Sequence, residues 1–173
     1  MTVVNVGKDF ENLSLTLVAE FDAPIERVWG LWADPRQLER WWGPPTHPAT
    51  VEKHDLTAGG EVSYFMTDQE GDKSHGRWHV TSVNPPTSLE FTDGFANHDG
   101  SPSPGTATTD VQVRLTERDG GTRMELRFLF ESPEHWELLE SWGAFGVFPQ
   151  SVSQMDVLLA ESVEAETTQP GRP

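Results

Sequence analysis

The chain has 173 residues, enough for one domain with a sizeable core, and no cysteine, which excludes disulfides, thiolate nucleophiles and cysteine-based metal sites. Its 28 acidic against 12 basic residues give a formal charge of −16, which repels phosphate backbones and anionic lipid and argues against nucleic acid or membrane as a partner. Seven Trp and nine Phe stand beside a single Tyr, and large rings without hydroxyls suit either a bulky core or an apolar cavity.

Residues Met1 to Asn12 read as an N-terminal extension. They carry Lys8 and Asp9 without a signal-length apolar stretch, and no later run reaches the roughly 20 apolar residues of a membrane span. A soluble, cytoplasmic protein is the expectation. From Leu13 to Phe21, Leu13, Leu15, Leu17, Ala19 and Phe21 alternate with polar residues in the period of a half-buried strand, leaving Val18 as the one outward apolar residue.

Asp22-Ala23-Pro24-Ile25-Glu26 then opens a helix that runs to about Ala33, with Asp22 or Ala23 as cap and Pro24 in the first turn. Ile25, Val28, Trp29 and Trp32 form its apolar stripe. Asp34-Pro35 breaks it and starts a second short helix towards Trp41. Trp41 and Trp42 are helical neighbours about 100° apart, so they must occupy different environments.

After Gly43-Pro44-Pro45 the pattern turns to short strands bounded by turn residues. Glu61 to Thr67 and Ser74 to Val83 form a hairpin across Asp68 to Lys73, and Asn84-Pro85-Pro86 leads to Ser88 to Asp93, whose Leu89, Phe91 and Asp93 share a face. The stretch from Ala96 to Gly105 is rich in Gly, Pro and Ser and reads as a mobile loop. Thr106 to Glu117 and Thr122 to Glu131 flank Arg118-Asp119-Gly120-Gly121, and Asp-Gly between alternating strands is a hairpin signal. Met124, Leu126, Phe128 and Phe130 face inward.

Ser132-Pro133-Glu134 caps and begins another helical stretch. A last helix is expected from near Phe148-Pro149 to about Val163, with Val152, Met155, Leu158 and Leu159 on one face and a flexible acidic tail from Glu164 to Pro173. The fold class is therefore α+β: a curved antiparallel sheet of about seven strands around a long C-terminal helix, with two short helices after the first strand.

This order, and the residues Asp22-Ala23-Pro24-Ile25-Glu26-Arg27-Val28-Trp29 followed by Leu38-Glu39-Arg40-Trp41-Trp42-Gly43-Pro44, resembles the helix-grip superfamily (the birch-pollen-allergen-like, START or SRPBCC proteins). Within it the nearest likeness is to the branch of the activator of the heat-shock-chaperone ATPase. Gly76-Arg77-Trp78, Val83-Asn84-Pro85-Pro86 and Leu89-Glu90-Phe91 are similar to that branch's strand-turn-strand signature. The likeness covers roughly Leu13 to Val163, taken as a single ligand-binding domain. One departure stands out: where the branch opens its last helix with Gly-Trp, this chain has Gly146-Val147-Phe148-Pro149.

The resemblance implies a cavity between sheet and helix and leaves the chemistry open, since the superfamily includes lipid carriers, hormone receptors, polyketide cyclases and co-chaperones. By strand alternation and helix phase the wall candidates are Trp42, Tyr64, Met66, Trp78, Phe91, Asp93, Phe128, Phe130, Phe145, Phe148, Val152 and Met155. Tyr64, Asp93 and His79 are the polar groups whose strand faces could orient a ligand, and position alone nominates Asp93 and Glu131 for acid/base work.

A metal is not expected. His75 and His79 stand about 13 Å apart along a strand, too far to share an ion, and His47, His54, His98 and His135 are scattered. No cofactor is called for, because the chain has no Gly-x-Ser-x-Gly elbow, phosphate-binding glycine loop or dinucleotide fingerprint. The leading expectation is binding or sequestration of a hydrophobic, aromatic small molecule. A polyketide cyclase-like enzyme comes second. A co-chaperone-type interaction module comes third, because one domain stands here without the extra N-terminal domain expected of a full activator. A homodimer is left open.

Overall fold

Alternation of apolar and polar residues shapes most of the strands. In the computed structural model, which describes residues 3–167, the elements run β1 (Val3–Asp9), β2 (Ser14–Phe21), α1 (Ile25–Ala33), α2 (Pro35–Leu38), β3 (Ala49–His54), β4 (Glu61–Thr67), β5 (Lys73–Asn84), β6 (Ser88–Phe95), β7 (Thr109–Arg118), β8 (Gly121–Phe130), α3 (Pro133–Ser141) and α4 (Ala144–Thr167). The strands form one antiparallel sheet of eight in the order β1-β2-β8-β7-β6-β5-β4-β3. The β7–β8 connection has two residues, Asp119 and Gly120, both with positive φ (50° and 80°), as the twisted type I′ hairpin requires.

One face of this sheet is apolar. Leu15 and Leu17 of β2, Trp78 and Val80 of β5, Leu89 and Phe91 of β6, and Met124 and Leu126 of β8 are almost fully buried there, in one core with Val28 and Trp32 of α1 and with Val152, Met155, Leu158 and Leu159 of α4. Aromatic packing dominates the centre. Trp78 stacks on Phe91 with ring centroids 3.8 Å apart, and Trp32 meets Trp41 edge-on at 4.6 Å.

Several expectations change. The sheet has eight strands because residues 3–9 of the expected extension form β1 beside β2. Residues 5–9 of β1 are exposed, so backbone hydrogen bonds rather than an apolar face hold this strand, and it leaves no alternation to read. The α1 cap position is Pro24 rather than Asp22 or Ala23, with no side-chain cap bond. The Ala23 carbonyl instead accepts from the buried Thr122 hydroxyl of β8 at 2.7 Å. Val18, expected outward, is buried at 5 % exposure.

The last helix begins at Ala144, ahead of Pro149, which lies inside it. A proline there forfeits one backbone donor. Packing outweighs that loss: Phe145 is buried against Trp136 (4.7 Å) and Phe130 (5.4 Å), and Phe148 stacks on Phe128 (4.5 Å). The helix continues through Thr167, into the expected tail, and 168–173 lie outside the described residues. The 96–105 segment is tied internally, with Asn97 N donating to Ser101 O at 2.8 Å and a bridge between Ala96 and Pro102.

The Trp-Trp-Gly-Pro segment after α2 is fastened from two sides. Trp41, 1 % exposed, donates its Nε1–H to the Leu31 carbonyl at 2.8 Å, while Trp42 is only half-buried, so the two neighbours do differ. From α4, Gln154 Nε2 donates to the carbonyls of Gly43 (2.7 Å) and Trp41 (3.3 Å). Gln154→Ala leaves both carbonyls without this donor, and denaturant unfolding should show a loss of about 1–3 kcal/mol with the native spectrum retained. An unchanged midpoint would show that the clasp is dispensable.

Candidate functional site

Where α4 and the loop after α2 lift away from β4, β5, β6 and β8, a cavity of about 360 Å³ remains, within the size range of small-molecule pockets. Phe128 from β8 and Phe148 and Val152 from α4 form part of its apolar wall, and Trp42, Tyr64 and Met66 form another part. Phe95 and Trp142, 47 % and 59 % exposed, line it as well and mark where it meets solvent.

The main polar feature is on the sheet. Tyr64 of β4 faces Gly76 of β5, and its ring passes over that glycine to reach β6, where its hydroxyl donates to Asp93 Oδ1 at 2.8 Å. Glycine is required there because a Cβ at position 76 would stand 2.4 Å from the ring and hydroxyl of Tyr64. Trp42 Nε1 has no hydrogen-bond partner, yet its N–H lies close enough to the Tyr64 hydroxyl to favour the phenolate. Burial outweighs that influence and, with the Asp93 carboxylate nearby, holds the Tyr64 pKa well above the usual phenol value.

Burial also pushes the Asp93 carboxyl up, to about 7, even though the Tyr64 hydroxyl and the Gly94 N–H both favour its ionised form. No Lys or Arg lines the cavity among the described residues. His135 of α3 does line it, and burial lowers its pKa against a partly compensating pull from Glu131.

Of the predicted wall residues, the cavity brings together Trp42, Tyr64, Met66, Asp93, Phe128, Phe148 and Val152. Trp78, Phe91, Phe130, Phe145 and Met155 do not reach it. Trp78, Phe91 and Phe130 lie on the sheet's inward face and Phe145 and Met155 on α4, and all five are packed into one core with other rings and the helices. His79 points outward and is exposed, and Glu131 is exposed and accepts from the Thr108 hydroxyl at 2.9 Å. Phe148 lines the cavity wall.

Phe95, His135 and Trp142 were not foreseen. Two of them sit beyond the last clearly alternating residue of a strand or at the end of a short helix, where face assignment by period fails. For a metal, the nearest arrangement among the described residues is the exposed turn of Asp68, Glu70 and Asp72, with ligand oxygens within 4.8 Å of one another. Asp68 Oδ1 already accepts there from the backbone N–H groups of Glu70 and Asp72. No helix among the described residues is long and apolar enough to cross a membrane.

An open antiparallel sheet with a long C-terminal helix on its apolar face is the helix-grip architecture. Residues 22–160 match the model of the family described as activator of Hsp90 ATPase homolog 1-like protein, and the chain belongs to that family. A solution structure of a protein from Arthrobacter aurescens is 46 % identical, with a TM-score of 0.88 over 92 % of this chain and 93 % of that one. A crystal structure of a Mycobacterium smegmatis protein is 43 % identical, with a TM-score of 0.82 over 91 % and 96 %. A family member from Silicibacter pomeroyi is 25 % identical, with a TM-score of 0.69 over 86 % and 99 %. No curated protein matches the chain.

The elevated pKa of Asp93 links stability to pH. Below its ordinary value of 3.8 the carboxyl is protonated folded or unfolded and costs nothing; as pH rises, the unfolded chain releases the proton first, so stability falls until the folded group ionises near 7. Asp93→Asn keeps an acceptor for Tyr64 and removes this cost. Its stability gain should be small at about pH 4 and reach about 3–5 kcal/mol at about pH 8, at about 1.4 kcal/mol per pH unit between the ordinary and the raised pKa, read from denaturant midpoints at both values. A gain that is equal at both would contradict the assignment.

Proposed function

We propose that the protein binds or sequesters a hydrophobic, aromatic small molecule in the cavity between its sheet and α4. The observation that carries this reading is the wall itself: Phe128 and Phe148 stack nearly parallel (7°) beside a cavity of about 360 Å³, with the half-buried Trp42 and Met66 elsewhere on its lining. Rings in such a wall offer an aromatic guest about 0.5–1.5 kcal/mol per favourable pair beyond the area buried. Met66 adds a polarizable side chain that adapts to irregular shapes.

A proton-transferring enzyme of the polyketide-cyclase kind is a second reading. The convergence of a carboxyl and a hydroxyl in an apolar cavity supports it, because a carboxyl with a pKa near 7 can both give and take a proton at neutrality. The family description also names a chaperone ATPase activator, a role that would lie on the surface rather than in the cavity.

A hydrophobic fluorophore should bind the folded protein with affinity on the order of micromolar. Phe128→Leu keeps the wall apolar but removes the ring stacked on Phe148, and should weaken binding about three- to tenfold without loss of fold. Val147→Trp, placing a large ring on the lining, should compete for the same space. If the fluorophore does not bind, or if both variants bind as the wild type does, the cavity is not the binding site.

A further inference from the structure

A carboxylate in a largely apolar cavity is normally paired with a cation or satisfied by several hydrogen bonds, and Asp93 stands half-buried in such a cavity. Asp93 has the Tyr64 hydroxyl and the Gly94 N–H, and the cavity wall supplies no Lys or Arg among the described residues. The same cavity is lined by the rings of Trp42, Tyr64, Phe95, Phe148 and Trp142, and an aromatic ring that turns its face to a cation attracts it. The chain's charge of −16 draws cations towards the protein and disfavours anionic amphiphiles.

We propose that the ligand of this cavity is an organic amine, an apolar ring-bearing body whose protonated nitrogen pairs with the Asp93 carboxylate that Tyr64 holds in place. The proposal rests on the cavity-binding reading above and names its substrate class. A ligand carboxylate would meet Asp93 as a like charge, and a neutral ligand would leave the charge of Asp93 uncompensated. An incoming ammonium stabilises the ionised carboxyl, so amine binding strengthens as pH rises through the range in which Asp93 titrates, near 7.

Other titratable groups face the same space: Tyr64 from β4, His75 from β5, His135 from α3 and His47 from the loop after α2. Protonating the histidines at low pH would repel an amine in the same direction, so the test must separate them from Asp93.

Three probes with one indole body do so: tryptamine, tryptophol and indolepropionate, titrated calorimetrically at pH values on either side of neutrality, beside the hydrophobic fluorophore. Tryptamine should bind about tenfold or more tighter than tryptophol at the higher pH, with indolepropionate weakest, as a charge-assisted hydrogen bond implies. In Asp93→Asn, which folds without the cost of ionising a carboxyl, the tryptamine-to-tryptophol ratio should fall towards one and lose its pH dependence. Tryptophol binding in that variant reports that the cavity is still formed.

If the fluorophore binds and tryptamine has no advantage, or neither indole binds, the amine assignment is overturned and the cavity reading stands. If the preference survives in Asp93→Asn, Asp93 is not the partner and the assignment is overturned; if only the pH dependence survives, the histidines set it and the pH part of the assignment is overturned. If the fluorophore fails as well, the cavity reading itself falls.

Discussion

A broad sheet with one apolar face cannot leave that face in water, and the whole architecture follows from how it is covered. Two helical elements do most of the covering. α1 places Val28 and Trp32 over one region, and α4 lays Val152, Met155, Leu158 and Leu159 over another. The cover is not continuous: beside the Phe128–Phe148 stack and Trp42 a gap remains between the sheet and the elements over it, and that gap is the cavity. Gln154 ties α4 to the carbonyls of Trp41 and Gly43 beside this gap.

The site shows how a few placements convert packing into recognition. Gly76 has no side chain, so the Tyr64 ring can cross a whole strand and orient Asp93 on the next one. The carboxyl gains one hydroxyl and one amide but remains in apolar surroundings, which is why it holds its proton so far above the ordinary acid range. A group in this state is inexpensive to keep neutral and ready to respond to a cation.

Much of this was legible in the residues. Strict alternation, as in Leu15, Leu17, Ala19 and Phe21, identified the inward face of β2, and Asp119-Gly120 identified a hairpin because few other residue pairs tolerate two positive φ values. The inward face of the sheet was therefore foreseeable, but not which part of it is solid. Trp78 and Phe91 alternate just as Tyr64 and Asp93 do, and only the position of the helices overhead makes the first pair core and the second pair wall. Residue period reports a face; it carries no information about what covers that face. For the same reason β1, held by backbone bonds along an exposed edge, and the first turns of α4, held by Phe145 against a proline's cost, escaped local reading.

The central position of β8 next to β2 has a consequence for how the protein is made. These strands pair along their whole length, and the bond from Thr122 to the Ala23 carbonyl joins residues 99 apart in the chain. During synthesis β2 and α1 emerge early, yet the partner that completes their layer appears only near the end. Until then the leucines of β2 and the tryptophans of α1 have no finished core to enter. A fold dominated by such distant pairings closes slowly, on the scale of about milliseconds to seconds. The nascent chain is therefore exposed to aggregation until β8, and after it the covering α4, have left the ribosome.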